Sequence, residues 1–198
     1  MKKITDYKAI IVVLDGTLYY QKPVRLAMAT VMASRFWRIK DFLIVKKYRE
    51  MFEQGLTEEE RMKLLPDGAD KIINEWMIQR PLKYVRKYRD KEMIADLDGL
   101  IASGFTVIVC SDYPVKEKLG AIGFEPHHAY SATDLGCMKP DAEGLARVLR
   151  KLGIKPDDCL VIGDRYEKDG LLARNMNAGY VILPKGRKER KELYSRLF

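Results

Sequence analysis

Ala9-Ile10-Ile11-Val12-Val13-Leu14-Asp15-Gly16-Thr17-Leu18 is the stretch on which the fold turns. A short apolar run that ends abruptly in Asp-Gly-Thr reads as the first core strand, with polar groups delivered at its carboxyl end. Similar punctuation recurs later. Phe105 to Cys110 is a continuous apolar run, as expected of a strand buried on both faces, and Ser111-Asp112 follows it. Cys159 to Ile162 is followed by Gly163-Asp164, with Asp169 five residues beyond, and Tyr180 to Leu183 reads as a further short strand.

Helical stripes alternate with these runs. Met93, Ile94, Leu97, Leu100 and Ile101 form one, stopped near Gly104; Leu145, Val148, Leu149 and Leu152 form another, ended by Gly153. Strand-helix alternation predicts an α/β fold: a Rossmann-like parallel sheet with helices on both faces. Residues 20–90 break that rhythm. Ile39, Phe42, Val45, Tyr48 and Phe52 recur at helical spacing, Thr57-Glu58-Glu59-Glu60 is a capping box, and Pro23, Gly55, Pro66-Asp67-Gly68 and Pro81 punctuate the segment. The chain therefore divides into an α/β core, residues 1–19 and 91–198, and an all-helical insertion, residues 20–90.

The 198 residues suffice for one core with a modest insertion, and 47% hydrophobic with 32% charged is ordinary for a globular protein. No apolar run reaches transmembrane length, so no membrane partner is expected. The apolar run near the start is too short for a secretory leader and ends in Asp15 without a small-residue cleavage site. Cys110, Cys137 and Cys159 lack metal-ligand spacing and read as reduced thiols of a cytoplasmic protein. Adjacent His127 and His128 would point in opposite directions if extended, with no third ligand at metal spacing.

The net charge of +8 comes largely from two segments, Arg80 to Arg89 and the tail from Lys185 to Arg196. Tyr84 and Tyr88 among basic residues could stack on nucleic-acid bases. Four apart on a helix, they fit better as inward anchors beneath a solvated basic face. The tail, which also carries Glu189 and Glu192, reads as a surface helix.

Parallel sheets of this type bind ligands at the carboxyl ends of their strands. Taken in order, those ends offer Asp15-Gly16-Thr17, then Ser111-Asp112, then Lys139-Pro140 ahead of a helix, then Gly163-Asp164 with Asp169. This ordered set resembles the four motifs of the haloacid dehalogenase-like (HAD) superfamily, and the helical block sits where that family inserts a C1-type cap. The resemblance implies a phosphatase-like hydrolase that uses Mg2+ and acts on a small phosphorylated metabolite. Asp15 would be the general acid/base, with its backbone carbonyl on the metal. Ser111 and Lys139 would hold the transferring phosphoryl oxygens, where charge is spread in the transition state. Asp164 and Asp169 would anchor Mg2+. Gly16, Thr17 and Asp112 would line the phosphate site, with backbone N–H groups around Gly16 and Asp112 as donors. Singly, each residue also fits a turn, a cap or a helix start.

One position departs from the pattern. The family begins its first motif with the nucleophilic Asp, two residues before the acid/base, and here that position is Val13. Valine has no lone pair to attack phosphorus or coordinate a cation. Hydrolysis by the family route should be lost or strongly impaired, and Mg2+ binding weakened. Three readings stay open: a phosphomonoesterase lineage disarmed at one residue, a pseudoenzyme that binds a phosphorylated ligand, and a nucleic-acid binder using the basic surface. The remaining motifs, all intact, favour the first. Asp112 is the only nearby carboxylate that could stand in for the missing one. Lys22 and Arg25, close behind the first strand, are candidate cap contacts. Oligomeric state is not encoded in any of these features.

Overall fold

β1, Ala9–Val13, is buried along its whole length at the centre of a five-stranded parallel sheet. Its neighbours are β2 (Thr106–Ser111) on one side and β4 (Cys159–Gly163) on the other. β3 (His128–Ser131) pairs outside β2, and β5 (Gly179–Ile182) outside β4. In this computed structural model residues 3–198 are described, so Met1 and Lys2 of the expected 1–19 segment lie outside the described residues. The order β3-β2-β1-β4-β5 makes β1 the switch point from which the chain winds first one way, then the other. Register places Val13 beside Cys110 and Val12 beside Ile162, so the carboxyl ends of three strands meet at one rim.

The alternation of a strand explains the two layers of helices. Ile10, Val12 and Leu14 face one apolar cluster, shared with Met93 and Leu97, Leu119 and Ile122, and Tyr194 and Leu197. Ala9, Ile11 and Val13 face a second, shared with Leu145 and Leu149, and Leu172 and Met176.

Between β1 and β2 the chain is helical: α1 (Gln21–Ala33), α2 (Ile39–Glu53), α3 (Glu58–Lys63), α4 (Ala69–Ile73) and α5 (Arg80–Lys87), with a π-helical turn at Asn74–Gln79 joining the last two. The capping box forms as expected, Thr57 Oγ1 accepting from Glu60 N–H and Glu60 from Thr57 N–H. The chain leaves and re-enters the α/β part through a narrow neck. Tyr19 bridges Arg89, Tyr20 N–H donates to Tyr88 O at 2.9 Å, and Asp90 N–H donates to Leu18 O at 2.9 Å. Tyr84 and Tyr88 pack against the core cluster while Lys83 and Lys87 lie over their rings, as the inward-anchor reading expects.

The remaining helices are α6 (Lys91–Ala102), α7 (Lys116–Ile122), α8 (Ala132–Leu135), α9 (Glu143–Leu152), α10 (Leu171–Met176) and α11 (Arg187–Leu197). His128 opens a strand, β3, and His127 Nδ1 accepts from Val107 N–H at 3.2 Å, the strand and loop positions expected of them. One expectation changes. The basic tail is no mere surface helix: Arg190, Tyr194 and Leu197, spaced along one face of α11, are buried against the core. Among the described residues no helix is long and apolar enough to cross a membrane.

Candidate functional site

Asp15 leaves the end of β1 with its carboxylate fully engaged. Oδ1 accepts from the Tyr19 hydroxyl and from Lys118 Nζ at 2.5 Å, and Oδ2 accepts from Ser111 Oγ at 2.6 Å. Burial pushes its pKa up, but the Lys118 ammonium and the hydroxyl donors outweigh burial and hold it at about 2. Ser111 is itself oriented by Tyr113 N–H, which donates to Oγ at 3.1 Å. Lys118 comes from the first turn of α7, directly beyond β2, so β1 and β2 together bring these groups to one point.

Lys139 reaches in from the loop between α8 and α9. Its Nζ lies 3.2 Å from Asp169 Oδ1 and 4.0 Å from Asp112 Oδ1. Burial disfavours its charge, yet the neighbouring carboxylates hold its pKa above the usual lysine value. The adjacent Cys110 thiol is pushed up to about 11 by burial and is neutral at pH 7, so the aspartates carry that effect. Lys168 takes the other side of Asp112, Nζ to Oδ2 at 3.2 Å. Asp112 is thus engaged on both oxygens, Oδ1 also accepting from Lys139 N–H at 3.4 Å, which disfavours it as a stand-in for a carboxylate at position 13.

Asp169 accepts from the N–H groups of Asp164 and Arg165, each at 3.1 Å, and fixes the turn after β4. Asp164 lies across Gly16. Gly16 has φ of +87°, and a Cβ there would collide with the Asp164 carboxyl, so glycine is required twice over. Asp164 itself is held above the ordinary carboxylate range, by burial first and by the Asp169 charge second.

The structure brings Asp15, Gly16, Ser111, Asp112, Lys139, Asp164 and Asp169 together at the strand ends. Thr17 departs from expectation: it is 0% exposed and its hydroxyl has no hydrogen-bond partner, so in this conformation it presents no face to a ligand. Tyr19, Lys118, Lys168 and Arg190 are neighbours that the motifs did not name. Arg190 is 3% exposed and donates to Gly16 O at 2.6 Å and Thr17 O at 3.2 Å, so α11 clamps the turn that carries Asp15.

Val13 ends β1 with 2% exposure, packed in the apolar cluster with Cys110 and Leu145. The model of the haloacid dehalogenase-like hydrolases fits residues 7–177, which include this strand-end constellation. The chain belongs to that family. A glyceraldehyde 3-phosphate phosphatase of Methanopyrus kandleri is 33% identical over 91 residues, 43% of this chain and 38% of that protein. The chain thus matches well under half the length of this curated relative. A magnesium-bound HAD hydrolase of Bacillus subtilis superposes with a TM-score of 0.66 at 15% identity, covering 99% of each chain. A β-phosphoglucomutase of Clostridium difficile gives 0.62 at 14% identity, covering 94% of this chain and 87% of that one. At such identities the structures share the fold alone.

The donor set at this HAD rim does not fit a divalent cation as it stands. Asp15, Asp112 and Asp169 are already paired with lysines, and Val13 at the end of β1 offers no oxygen. Among the described residues no three His, Cys, Asp or Glu side chains group as metal ligands. A hard cation needs several oxygens free to turn towards it.

Proposed function

We propose that this chain is a phosphomonoesterase scaffold disarmed at the nucleophile position, with the helical block 20–90 as a cap that closes on the α/β core, 1–19 and 91–198, through the neck. The observation that carries this reading is Val13 itself: a buried valine at the end of β1, among strand ends that also bear Ser111, Lys139, Asp164 and Asp169. In the intact family arrangement Ser111 and Lys139 would hold phosphoryl oxygens, Asp164 and Asp169 would anchor Mg2+ with the Asp15 carbonyl, and Asp15 would shuttle the leaving-group proton.

The state of Asp15 agrees with a disarmed site. At a pKa of about 2 it is ionised at neutral pH and has no proton to give a leaving alkoxide. A carboxylate at position 13 would repel that charge and raise the pKa towards a working value. Ionic attraction to an anion is helped by the same change that removes turnover, so a phosphorylated ligand can be held without reaction. That is the basis of the second reading, a pseudoenzyme that senses such a ligand. The three free thiols, two of them buried, fit a cytoplasmic setting.

The test is hydrolysis of p-nitrophenyl phosphate by this chain and by Val13→Asp, each with and without Mg2+. The disarmed-enzyme reading expects Val13→Asp to be at least about a thousandfold faster and to depend on Mg2+. Comparable turnover by the unaltered chain would overturn the assignment of position 13. No turnover by either, with stabilisation by phosphorylated ligands, would favour the pseudoenzyme.

A further inference from the structure

Between the helical block and the strand ends lies a cavity of about 790 Å³. Its floor is Asp15, Tyr19, Tyr113 and Lys118. Its walls are of a different character: Met28 and Met32 of α1, Phe42 and Val45 of α2, and Trp76 and Met77 from the π-helical turn. A phosphosugar would bring several hydroxyls that need hydrogen-bond partners; thioethers and branched carbons supply none, and the polar lining groups, among them Gln21, Asn74 and Thr133, are outnumbered by apolar ones. Flexible methionines suit a chain of variable shape.

The polar end is cationic. Arg49 lies over the Tyr113 ring at 5.3 Å and donates from Nε to its hydroxyl at 3.3 Å, while Phe52 stacks on the same ring at 5.5 Å. Arg25 is on the same lining. Of the lining carboxylates, Asp15 is paired with Lys118 and Glu58 with Arg61. Among the described residues no carboxylate pairs with Arg25 or Arg49; both side chains are exposed and line a cavity that also carries Asp70. Planar guanidiniums bind phosphate by paired hydrogen bonds.

We propose that this cavity binds an amphipathic phosphate monoester, with its head at the Lys118 end, where Ser111 and Lys139 would hold the phosphoryl oxygens and Arg49 and Arg25 add positive charge, and an alkyl or prenyl tail among Met28, Met32, Val45 and Met77. This rests on the phosphomonoesterase reading for the choice of phosphate as the head; the tail rests on the cavity walls alone. It narrows the ligand from a small polar metabolite to a lipid-like one.

Calorimetric titration of the full chain with n-octyl phosphate, n-decyl phosphate and glycerol phosphate, below micelle-forming concentrations, tests it. The expected result is one-to-one binding of the alkyl esters, about tenfold tighter for decyl than octyl from two further buried methylenes. Glycerol phosphate should bind far more weakly. Met28→Gln with Val45→Thr should flatten the chain-length dependence, and Arg49→Gln should weaken the alkyl phosphates regardless of length. Equal or tighter binding of glycerol phosphate, affinity independent of chain length, or no one-to-one binding would each overturn the proposal. Because the unaltered chain is titrated without turnover, failure here is separable from failure of Val13→Asp to hydrolyse p-nitrophenyl phosphate.

Discussion

Replacing Arg190 by methionine keeps most of the side-chain volume and removes the charge. In the structure Arg190 and Asp90 are each 3% exposed and pair at 3.2 Å. Arg190 also donates to the carbonyls of Gly16, Thr17 and Pro184, at 2.6, 3.2 and 2.8 Å. Without it Asp90 keeps uncharged donors, the Tyr194 hydroxyl at 2.9 Å, Met93 N–H at 3.3 Å and the Tyr20 hydroxyl, and three carbonyls lose a donor. Adding four charge-assisted bonds at face value overstates the loss, since water and the unfolded chain recover part of each. Breaking a buried pair from one side costs about 3–5 kcal/mol, because the remaining charge is stranded. For a chain of this length, 198 residues, that is a fall in Tm of roughly 6–20 °C. Urea unfolding of Arg190→Met, Asp90→Asn and the double variant measures it. The double variant should recover at least about 1 kcal/mol relative to the sum of the singles, since neutral Asn no longer strands a charge. Arg190→Met within about 1 kcal/mol of the parent, or strict additivity, would refute the claim that this pair ties α11 to both the neck and the Asp15 turn.

Two further outcomes follow from the same geometry. Gly16→Ala should destabilise by more than about 2 kcal/mol, from positive φ and collision with the Asp164 carboxyl, and a melting curve will show it. Asp15 has a folded-state pKa of about 2 against 3.8, so its contribution is fully present above about pH 4 and is lost as pH falls towards 2. That contribution is on the order of 2 kcal/mol, and Lys118→Met should remove most of it, flattening the acid limb of stability against pH.

The sheet was legible because its strands are buried on both faces and must be apolar throughout. β1, β2, β4 and β5 all stand within a residue of the runs that predict them. β3 was not, being four residues long at the sheet edge and opening on a histidine. Asp15, Ser111, Lys139, Asp164 and Asp169 were legible as residues just past apolar runs, though their roles rest on the family resemblance. Lys118 carries no local mark: only the crossing of α7 over the β1 end brings it to Asp15. Arg190 was hidden inside a basic run, where charge suggests solvent. The signal available was Tyr194 and Leu197 on the same helical face, four and seven residues on, which turns that arginine inward. The cavity is legible from no stretch of sequence, because its walls come from separate helices.

Charge balance at the rim explains why valine is tolerated at position 13. Three lysines meet three aspartates: Lys118 with Asp15, Lys139 with Asp169, and Lys168 with Asp112. Asp164 has no lysine bound to it, and burial together with the Asp169 charge keeps its pKa raised. Valine at position 13 adds no charge and suits a strand buried on both faces. A carboxylate there would add a second unbalanced negative charge in a buried setting, at a cost only a bound cation offsets well. Mg2+ should therefore raise the Tm of Val13→Asp by mass action while leaving the unaltered chain within error. An equal shift in both proteins would mean that the cation binds elsewhere, and that Val13 is not the residue separating this rim from a working metal site.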